Sequence, residues 1–443
     1  MRVVWLPGLL VAAAANVAVM APARAQNRGD ILVQQGSQFL QANQPERALP
    51  LLQQAVGIDA NNAEAQALLG QALIDTGHPD QALPHLEQAV RLRPADSPTQ
   101  FNLGVAQLDS GRASQAFETF SRLAARDPKE LATKSYLSRT ALRLKKNEVA
   151  RANLASLRQL APAESLLHAQ LVEWCFQEEA GAITREQIQF TLNLRLPPAR
   201  EARVHYLSGI LLSRARRTPE AVAEFARAVA LDETQEEYLS ALVKQQASEG
   251  NAAVDRALLK RGLDKFPDSK GLVSTEAILL LDGGRVEEAL RAARHLIEKY
   301  PNASEGWVLS GRIQLSDLAF DRAQADLQRA IALNPRDPEA WYYLGISQRR
   351  LDRDSEAEVS LEKATSLNPG NADAWLEYGR LLFDVAAYQK AGPALATTIK
   401  LKPNLAIAYN LMAQTQRKLG NPGEATRYLA QFKKLSSQAR SRP

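Results

Sequence analysis

One period governs this sequence, because the same pattern of residues returns every 34 positions along nearly the whole chain. The stretch PEAWYYLG at residues 338–345 returns as ADAWLEYG at residues 372–379, and a proline closes the segment that follows each copy. Repeats begin near residues 29, 63, 97, 131, 165, 202, 236, 270, 304, 338, 372 and 406, twelve in all. A fixed period of this length is typical of stacked helical units, each too small to bury its apolar face alone.

Three columns of the repeat are each dominated by one residue type, and each has a physical reason. We number positions within a repeat as places, so that residue 338 is place 1 of the tenth repeat. Glycine recurs at place 8, alanine at place 20 and proline at place 32. Small residues at places 8 and 20 are expected to face each other where two helices cross, and proline ends the second helix. Large side chains at places 4, 7, 11 and 24 are expected to fill the surrounding space.

Composition agrees with a helical chain. Hydrophobic residues make up 45% of the sequence and aromatic residues only 6%, and the residues that dominate favour helix. Segments in which valine, isoleucine and threonine alternate with polar residues are almost absent, so no sheet is expected. The sequence therefore predicts an all-α protein.

The columns, together with an aromatic residue at place 4 in the last four repeats, make the chain resemble the tetratricopeptide repeat family over residues 29 to about 435. These aromatic residues are Trp307, Trp341, Trp375 and Tyr409. The resemblance implies a right-handed superhelical α-solenoid of about twelve helix pairs. It also implies a concave groove, lined by places 2, 5, 6, 9, 12 and 13 of the first helix of each pair.

The period also predicts how the chain is divided. A signal peptide at residues 1–25 precedes repeats 1–4 at residues 26–163, and residues 164–269 hold repeats 5–7. These middle repeats are expected to be irregular, because the fifth has Val172 and Thr184 where small residues belong, and the seventh has Val243 and Asp255. Repeats 8–12 follow at residues 270–435, and residues 436–443 form a basic tail.

The first 25 residues have the composition of a secretory signal peptide. Arg2 begins an almost wholly apolar run, and Ala23 and Ala25 supply the small residues before a cleavage site at Gln26. An uncleaved amino-terminal anchor is the alternative, since the run is just long enough to span a bilayer. No other segment is as long and apolar, so after cleavage we expect no stable membrane span and a periplasmic or secreted protein.

The net charge and the cysteine content narrow the range of possible functions and structural features further. The formal net charge is +5, and it falls to +3 when Arg2 and Arg24 leave with the signal peptide. This near balance, without clustered basic residues, argues against a nucleic-acid partner. The single cysteine, Cys175, excludes an internal disulfide, and its position at place 11 predicts a buried apolar side chain.

The sequence carries no motif for catalysis or metal binding. Its five histidines lack metal-ligand spacing and a cysteine partner, so we interpret them as surface or packing residues. It has no phosphate loop, nucleophile elbow or dinucleotide fingerprint. We therefore predict no catalytic residues, no metal, no cofactor and no enzymatic activity. A hydrolase built on His168, Glu173 and Cys175 of the fifth repeat is a remote alternative.

The last four repeats supply the residues that we predict to bind a partner. Arginines at places 9 and 12 recur two repeats apart with tyrosines between them, and the set is Arg312, Tyr342, Tyr343, Arg349, Arg380 and Arg417. Arginine with tyrosine is typical of interaction hot spots, and a guanidinium fork suits carboxylates or phosphates. The favoured partner is thus an acidic protein or peptide. Solvated surface charge is the alternative interpretation of these arginines.

The first four repeats present a different row at place 12, formed by Leu40, Ile74, Leu108 and Leu142. This row could hold an apolar peptide, but ordinary packing between first helices is the interpretation we favour. The sequence as a whole predicts a non-enzymatic, exported protein–protein interaction scaffold that holds a protein or peptide in its concave groove. An assembly or carrier role in envelope polysaccharide or outer-membrane machinery is the alternative, by analogy with the family. The oligomeric state stays open.

Overall fold

The computed structural model of the protein describes residues 28–248, Gly250 and residues 254–440. These residues form twenty-four α-helices and no β-strand. The all-α architecture of twelve helix pairs, predicted from the period, is confirmed. The predicted signal peptide, residues 1–25, lies outside the described residues. None of the described helices combines the length and the apolar character needed to cross a membrane.

Contacts divide the chain into two bodies. The N-terminal body ends at Asp232, and the C-terminal body begins at Glu233. The N-terminal body holds six helix pairs, one for each of repeats 1–6: α1 (Arg28–Gln41) and α2 (Pro45–Ile58), α3 (Ala63–Asp75) and α4 (Pro79–Leu92), α5 (Ser97–Asp109) and α6 (Ala113–Arg126), α7 (Leu131–Arg143) and α8 (Asn147–Leu160), α9 (Ser165–Gln177) and α10 (Gly181–Thr191), α11 (Pro198–Arg214) and α12 (Thr218–Leu231).

The C-terminal body holds the helix pairs of repeats 7–12. They are α13 (Glu236–Ser248) and α14 (Arg256–Lys265), α15 (Lys270–Asp282) and α16 (Val286–Lys299), α17 (Glu305–Ser316) and α18 (Phe320–Leu333), α19 (Pro338–Arg350) and α20 (Asp354–Leu367), α21 (Ala372–Asp384) and α22 (Tyr388–Leu401), α23 (Ala406–Lys418) and α24 (Pro422–Arg440). In both bodies each first helix packs on its own second helix and, with that helix, on the next first helix.

The glycine at place 8 lies under the large side chain at place 24 of the same repeat. A Cβ atom added to Gly345 would lie 2.6 Å from Cγ of Leu361, and one added to Gly104 would lie 2.7 Å from Cζ of Phe120. The large residue at place 24 therefore fills the space at the crossing, as predicted, and the contact between the glycine and alanine columns stays a prediction. The alanines are buried beside this contact.

The aromatic residue at place 4 joins each of the last three repeats to the preceding one, whereas Nε1 of Trp307 is buried without an acceptor among the described residues. Nε1 of Trp341 donates a hydrogen bond to the carbonyl oxygen of Pro335 at 2.9 Å, and Trp375 donates to the carbonyl oxygen of Pro369 at 3.0 Å. Each proline lies just after the end of a second helix, and its carbonyl oxygen accepts from the aromatic residue six positions later, on the first helix of the next repeat. In these repeats the aromatic and proline columns together form one contact between neighbouring repeats.

The turn between the two helices of a repeat has one backbone conformation throughout the array. Place 15 has a positive φ angle in all twelve repeats. Five of these residues are glycines, and the other seven are Asn43, Lys145, Glu179, Arg216, Leu318, Asp352 and Ala386, with φ from 54° to 58°. This left-handed conformation is easy for glycine and costly for other residues.

Repeat 7 departs from the common geometry at its second helix. Helix α14 begins at Arg256, which is place 21, whereas the second helix of every other repeat begins at place 17. The repeat therefore has a second helix about one turn shorter at its start. The boundaries of the irregular stretch drawn from the sequence, residues 164–269, stay a prediction.

Candidate partner-binding surface

We call the side of the first helices that carries places 2, 5, 6, 9, 12 and 13 the groove face. In the C-terminal body, four first helices supply the predicted site: Arg312 lies on α17, Tyr342, Tyr343 and Arg349 on α19, Arg380 on α21 and Arg417 on α23. The contacts below describe which of these side chains come together. Their role in binding a partner stays a prediction.

Two of the predicted arginines share one carboxylate. Nη1 of Arg349 lies 2.8 Å from Oε2 of Glu377, and Nη1 of Arg380 lies 2.8 Å from Oε1 of the same residue. The second nitrogen of Arg349 reaches Oδ2 of Asp384 at 2.5 Å. Arg349, Arg380 and Glu377 are all half-buried. The structure thus neutralises two arginines that the sequence suggested were free, and holds their guanidinium groups in fixed positions.

Arg312 and the two tyrosines form the other part of the predicted site. The rings of Tyr342 and Tyr343 lie 5.0 Å apart, and burial raises the pKa of both phenols. The positive charge of Arg312 is close enough to oppose this rise in both. The Arg312 guanidinium is half-buried and has no hydrogen-bond acceptor or ion-pair partner among the described residues. It is therefore a charged donor that the chain itself leaves unsatisfied.

Arg417 is not brought into this group. It lies exposed in the last turn of α23, and no contact within residues 254–440 joins its side chain to the other five. A cation in the last turn of a helix is favoured by the helix dipole. For Arg417 the interpretation as solvated surface charge fits best.

The apolar row of the first four repeats is core. Ile74, Leu108 and Leu142 are buried, with 6%, 0% and 1% of their surface exposed, and Leu40 is packed against the same core. The packing interpretation is therefore confirmed, and this row presents no apolar surface to a partner.

The groove face of the N-terminal body instead carries a polar cluster that the sequence analysis missed. Asp75 on α3 and Asp109 on α5 occupy place 13 in successive repeats, and Tyr136 and Arg139 follow on α7. The charges of Asp75, Asp109 and Arg139 all act on the Tyr136 hydroxyl, so each of these three groups lies near Tyr136. Place 13 was among the groove positions, and reading its column along the chain would have revealed the two carboxylates.

The ion pairing in this cluster is incomplete. Nη1 of Arg139 lies 3.9 Å from Oδ1 of Asp109, which is beyond hydrogen-bond range. Nε of Arg139 is buried and has no acceptor in the part of the chain that the structure describes. Asp75 has no cation within ion-pair distance among the described residues, and its side-chain hydrogen bond comes from Gln71.

Burial without a counter-charge shifts the acidity of these groups. Burial raises the pKa of the Asp75 carboxyl to about 6, against a smaller lowering by the hydrogen bond from Gln71. Burial also raises the pKa of Asp109, although the charges of Arg139 and Arg143 oppose it. The pKa of Tyr136 rises to about 12, again mainly through burial. Groups perturbed in this way are enriched at functional sites.

An aromatic wall adjoins the carboxylates. The ring of Tyr136 packs edge-on against Phe101 at 5.2 Å and against Trp174 at 5.1 Å. The guanidinium of Arg139 lies over the Trp174 ring, 5.1 Å from its centroid. The cluster therefore combines two under-neutralised carboxylates, an arginine held by stacking and a row of partly buried rings.

The residues of the remote hydrolase alternative do not form a catalytic group. His168 is fully buried; its Nε2 donates to the carbonyl oxygen of Ala161 at 2.9 Å, and its Nδ1 accepts from Gln187 at 3.1 Å. Glu173 pairs with Arg203. Cys175 is 1% exposed, and burial raises the pKa of its thiol to about 12, as expected for a packing residue. Within the described residues, no cluster of side chains could hold a metal ion.

Comparison with known proteins agrees with the helix-pair architecture. Sequence profiles of the tetratricopeptide repeat match residues 39–103 and 73–135, residues 276–303, and residues 319–364. Over 90 residues the chain is 28% identical to Superkiller complex protein 3 of Mus musculus, a match that covers 20% of this chain and 6% of that protein. The chain therefore spans only a small part of this relative's length.

Among solved structures, the crystal structure of MamA aligns with 23% identity and a TM-score of 0.35, covering 38% of this chain and 97% of MamA. YrrB, described as a tetratricopeptide-repeat protein with an unusual peptide-binding site, aligns with 18% identity and a TM-score of 0.34. That alignment covers 40% of this chain and 91% of YrrB.

Proposed function

Since this chain is a tetratricopeptide-repeat protein, we propose that it is a non-enzymatic scaffold that binds a protein or peptide on the groove face of its first helices. The repeated columns are used for packing: glycine under the large residue of place 24, alanine beside it, and the aromatic residue of place 4 on the preceding repeat. The groove face is where successive repeats differ in charge and shape, so it is the surface that can select a partner.

Arg312 is the observation that carries this proposal. A guanidinium keeps its proton and offers only donors, and that of Arg312 has no acceptor within the described part of the chain. A carboxylate or carbonyl group of a partner would satisfy it, and the adjacent rings of Tyr342 and Tyr343 offer a rigid apolar surface beside it. Arg349 and Arg380, held by Glu377, add donors whose positions are already fixed, which lowers the entropic cost of binding.

We also propose where the protein acts in or outside the cell. The composition of residues 1–25 supports export, so the scaffold would act in the periplasm or outside the cell. A partner would then be another exported or envelope protein that presents an acidic or carbonyl-rich segment to Arg312.

The experiment compares Arg312→Ala with Arg329→Ala. Both remove one arginine from the C-terminal body, but Arg329 is exposed on α18, a second helix. Each purified variant and the wild type are used to capture envelope proteins of the host, and the dissociation constant of each captured protein is then measured. Circular dichroism checks that both variants stay helical.

We expect Arg312→Ala to weaken the captured partner about 10- to 100-fold, the usual effect of losing a hydrogen bond to a charged group. Arg329→Ala should bind like the wild type. A partner that binds all three proteins equally would place recognition away from this part of the groove face. Capture of no protein by the wild type would contradict the scaffold function.

A further inference from the structure

We propose that Asp75 and Asp109 form a second partner-binding site, on the groove face of the N-terminal body, and that it takes a lysine or arginine side chain of an extended peptide. The inference deepens the proposed function and rests on it. The chain would then have two recognition sites with opposite preferences. Arg312 in the C-terminal body would bind a carboxylate or carbonyl group, and the two aspartates would bind a cation.

Other ion pairs between neighbouring first helices are closed. In the C-terminal body, the carboxylates of Glu377 and Asp384 lie 2.8 and 2.5 Å from Arg349, and in the N-terminal body Glu178 lies 2.6 Å from Arg143. Asp109, in contrast, stays 3.9 Å from Arg139, and Asp75 has no cation within ion-pair distance among the described residues. The open arrangement around Asp75 and Asp109 is therefore not imposed by the spacing of the first helices.

The two arginines near the aspartates, Arg139 and Arg143, already make other contacts. Two nitrogens of Arg143 bind the carboxylate of Glu178, and Nη1 donates to the carbonyl oxygen of Leu108 at 3.1 Å. Arg139 is stacked on Trp174, with only 11% of its side chain exposed. Neither arginine can turn toward Asp75 without breaking these contacts. A cation that pairs closely with Asp75 would therefore have to come from another molecule.

The unsatisfied groups define the chemistry of that molecule. The carboxylates of Asp75 and Asp109 require a cationic donor, while the unpartnered Nε of Arg139 requires an acceptor. A basic residue within a peptide supplies both, through its side chain and its backbone carbonyl group. The adjoining rings of Phe101 and Tyr136 give the methylene groups of a lysine an apolar wall to lie on.

The acidity of the cluster agrees with this assignment. Burial raises the pKa of both aspartates, which is the expected state of a cation site before its cation arrives. An ammonium or guanidinium group beside them would stabilise their ionised form and lower both pKa values again. Binding of a basic peptide near pH 6 should therefore release the proton that the Asp75 carboxyl holds there.

The test measures binding of fluorescein-labelled peptides to the purified full-length chain. One peptide alternates lysine with serine, and a second, uncharged peptide alternates glutamine with serine. The variant Asp75→Asn/Asp109→Asn removes the two carboxylates without changing side-chain size. The matched control, Asp80→Asn/Glu87→Gln, removes two exposed carboxylates from α4, the second helix of the same repeat as α3.

We expect the wild type and the control to bind the lysine peptide at least about 10-fold more tightly than the glutamine peptide, and the Asp75/Asp109 variant to lose this preference. Equal binding of both peptides by the wild type overturns the proposal. An equal loss in the variant and the control overturns it too, because it would show only nonspecific attraction to net charge.

A second measurement covers the case of a variant that does not fold. Carboxyl ¹³C titration of wild-type Asp75 should show its pKa falling when the lysine peptide is added and staying constant with the glutamine peptide; a constant pKa with both overturns the proposal. Arg312→Ala should leave lysine-peptide binding intact. If Arg312→Ala captures the envelope partner as tightly as the wild type, while the wild type prefers the lysine peptide, only the Arg312 proposal is contradicted. If Arg312→Ala weakens partner capture, while the wild type shows no preference for the lysine peptide, only this proposal is contradicted.

Discussion

Gly345→Ala tests the helix crossing, because it adds one methyl group where the neighbouring side chain leaves no space. The new Cβ would lie 2.6 Å from Cγ and 2.9 Å from Cδ2 of Leu361. Carbon atoms pack best at about 3.5–4.0 Å, so α19 and α20 would have to separate by about 1 Å, or Leu361 would have to leave its rotamer. Leu361 is fully buried and is enclosed on all sides.

The size of the effect follows from two opposing contributions. Overpacking of a core costs about 1–3 kcal/mol, and the short contact places Gly345→Ala toward the upper end. Alanine gains about 1 kcal/mol over glycine in helix propensity. We therefore expect a net loss of about 1–2 kcal/mol in the free energy of unfolding. Urea unfolding measures this loss, and amide hydrogen exchange should locate it in α19 and α20, since a repeat array need not unfold as one unit.

Gly57→Ala is the matched control. Gly57 also lies in a helix, α2, but nothing stands within 4 Å of its added Cβ. This substitution should leave stability unchanged or raise it by up to about 1 kcal/mol. Equal stability of Gly345→Ala and the wild type would refute the reasoning.

A double variant identifies the clash itself. Leu361→Ala alone should cost about 2–5 kcal/mol, because it opens a cavity. In Gly345→Ala/Leu361→Ala the added methyl group occupies part of that cavity, so the double variant should be less destabilised than the sum of the two single variants. Strict additivity would show that the methyl group and Leu361 do not meet.

We make three further predictions about buried side chains whose pKa values are shifted. Asp75→Asn should stabilise the chain at pH 7 but not at pH 4 in urea unfolding, by up to about 2–3 kcal/mol, because a carboxyl whose pKa is raised from 3.8 to about 6 disfavours the folded state as pH rises through that window. Burial lowers the pKa of His168, so stability should fall as pH drops below about 6.5, and thermal unfolding of His168→Asn should show a smaller fall. Cys175 should react with a thiol reagent at pH 8 only after unfolding, since its pKa is about 12.

The architecture could be predicted because the residues that pack the repeats recur at fixed places. Gly345 and Trp341 can each be explained from the sequence: Gly345 is a small residue where two helices cross, and Trp341 is an aromatic donor six residues after a proline. The partner of the glycine could not be read in the same way. Both Ala357 and Leu361 lie on the face of α20 that meets α19, and only side-chain length decides which of them covers Gly345.

The predicted site was harder to judge from sequence, since pairing between repeats depends on which side chains reach each other. Glu377 neutralises both Arg349 and Arg380, although its position in the sequence separates it from Arg349 by most of a repeat. The aspartates of the N-terminal body were overlooked because each alone looks like an ordinary surface acid. Their shared register and the distance to Arg139 become visible only when the helices are stacked.

The turn at place 15 keeps its left-handed backbone whether the residue is glycine or not. Substitutions there can therefore change the stability of the chain without changing its partner-binding surface. Leu318, with φ of 58° and 73% of its surface exposed, could become glycine with relief of backbone strain and removal of an exposed apolar side chain. Place 15 does not belong to the groove face, so such changes would leave the binding surface as it is. The thermal stability of this protein can therefore increase in small steps, one repeat at a time, while its binding specificity stays the same.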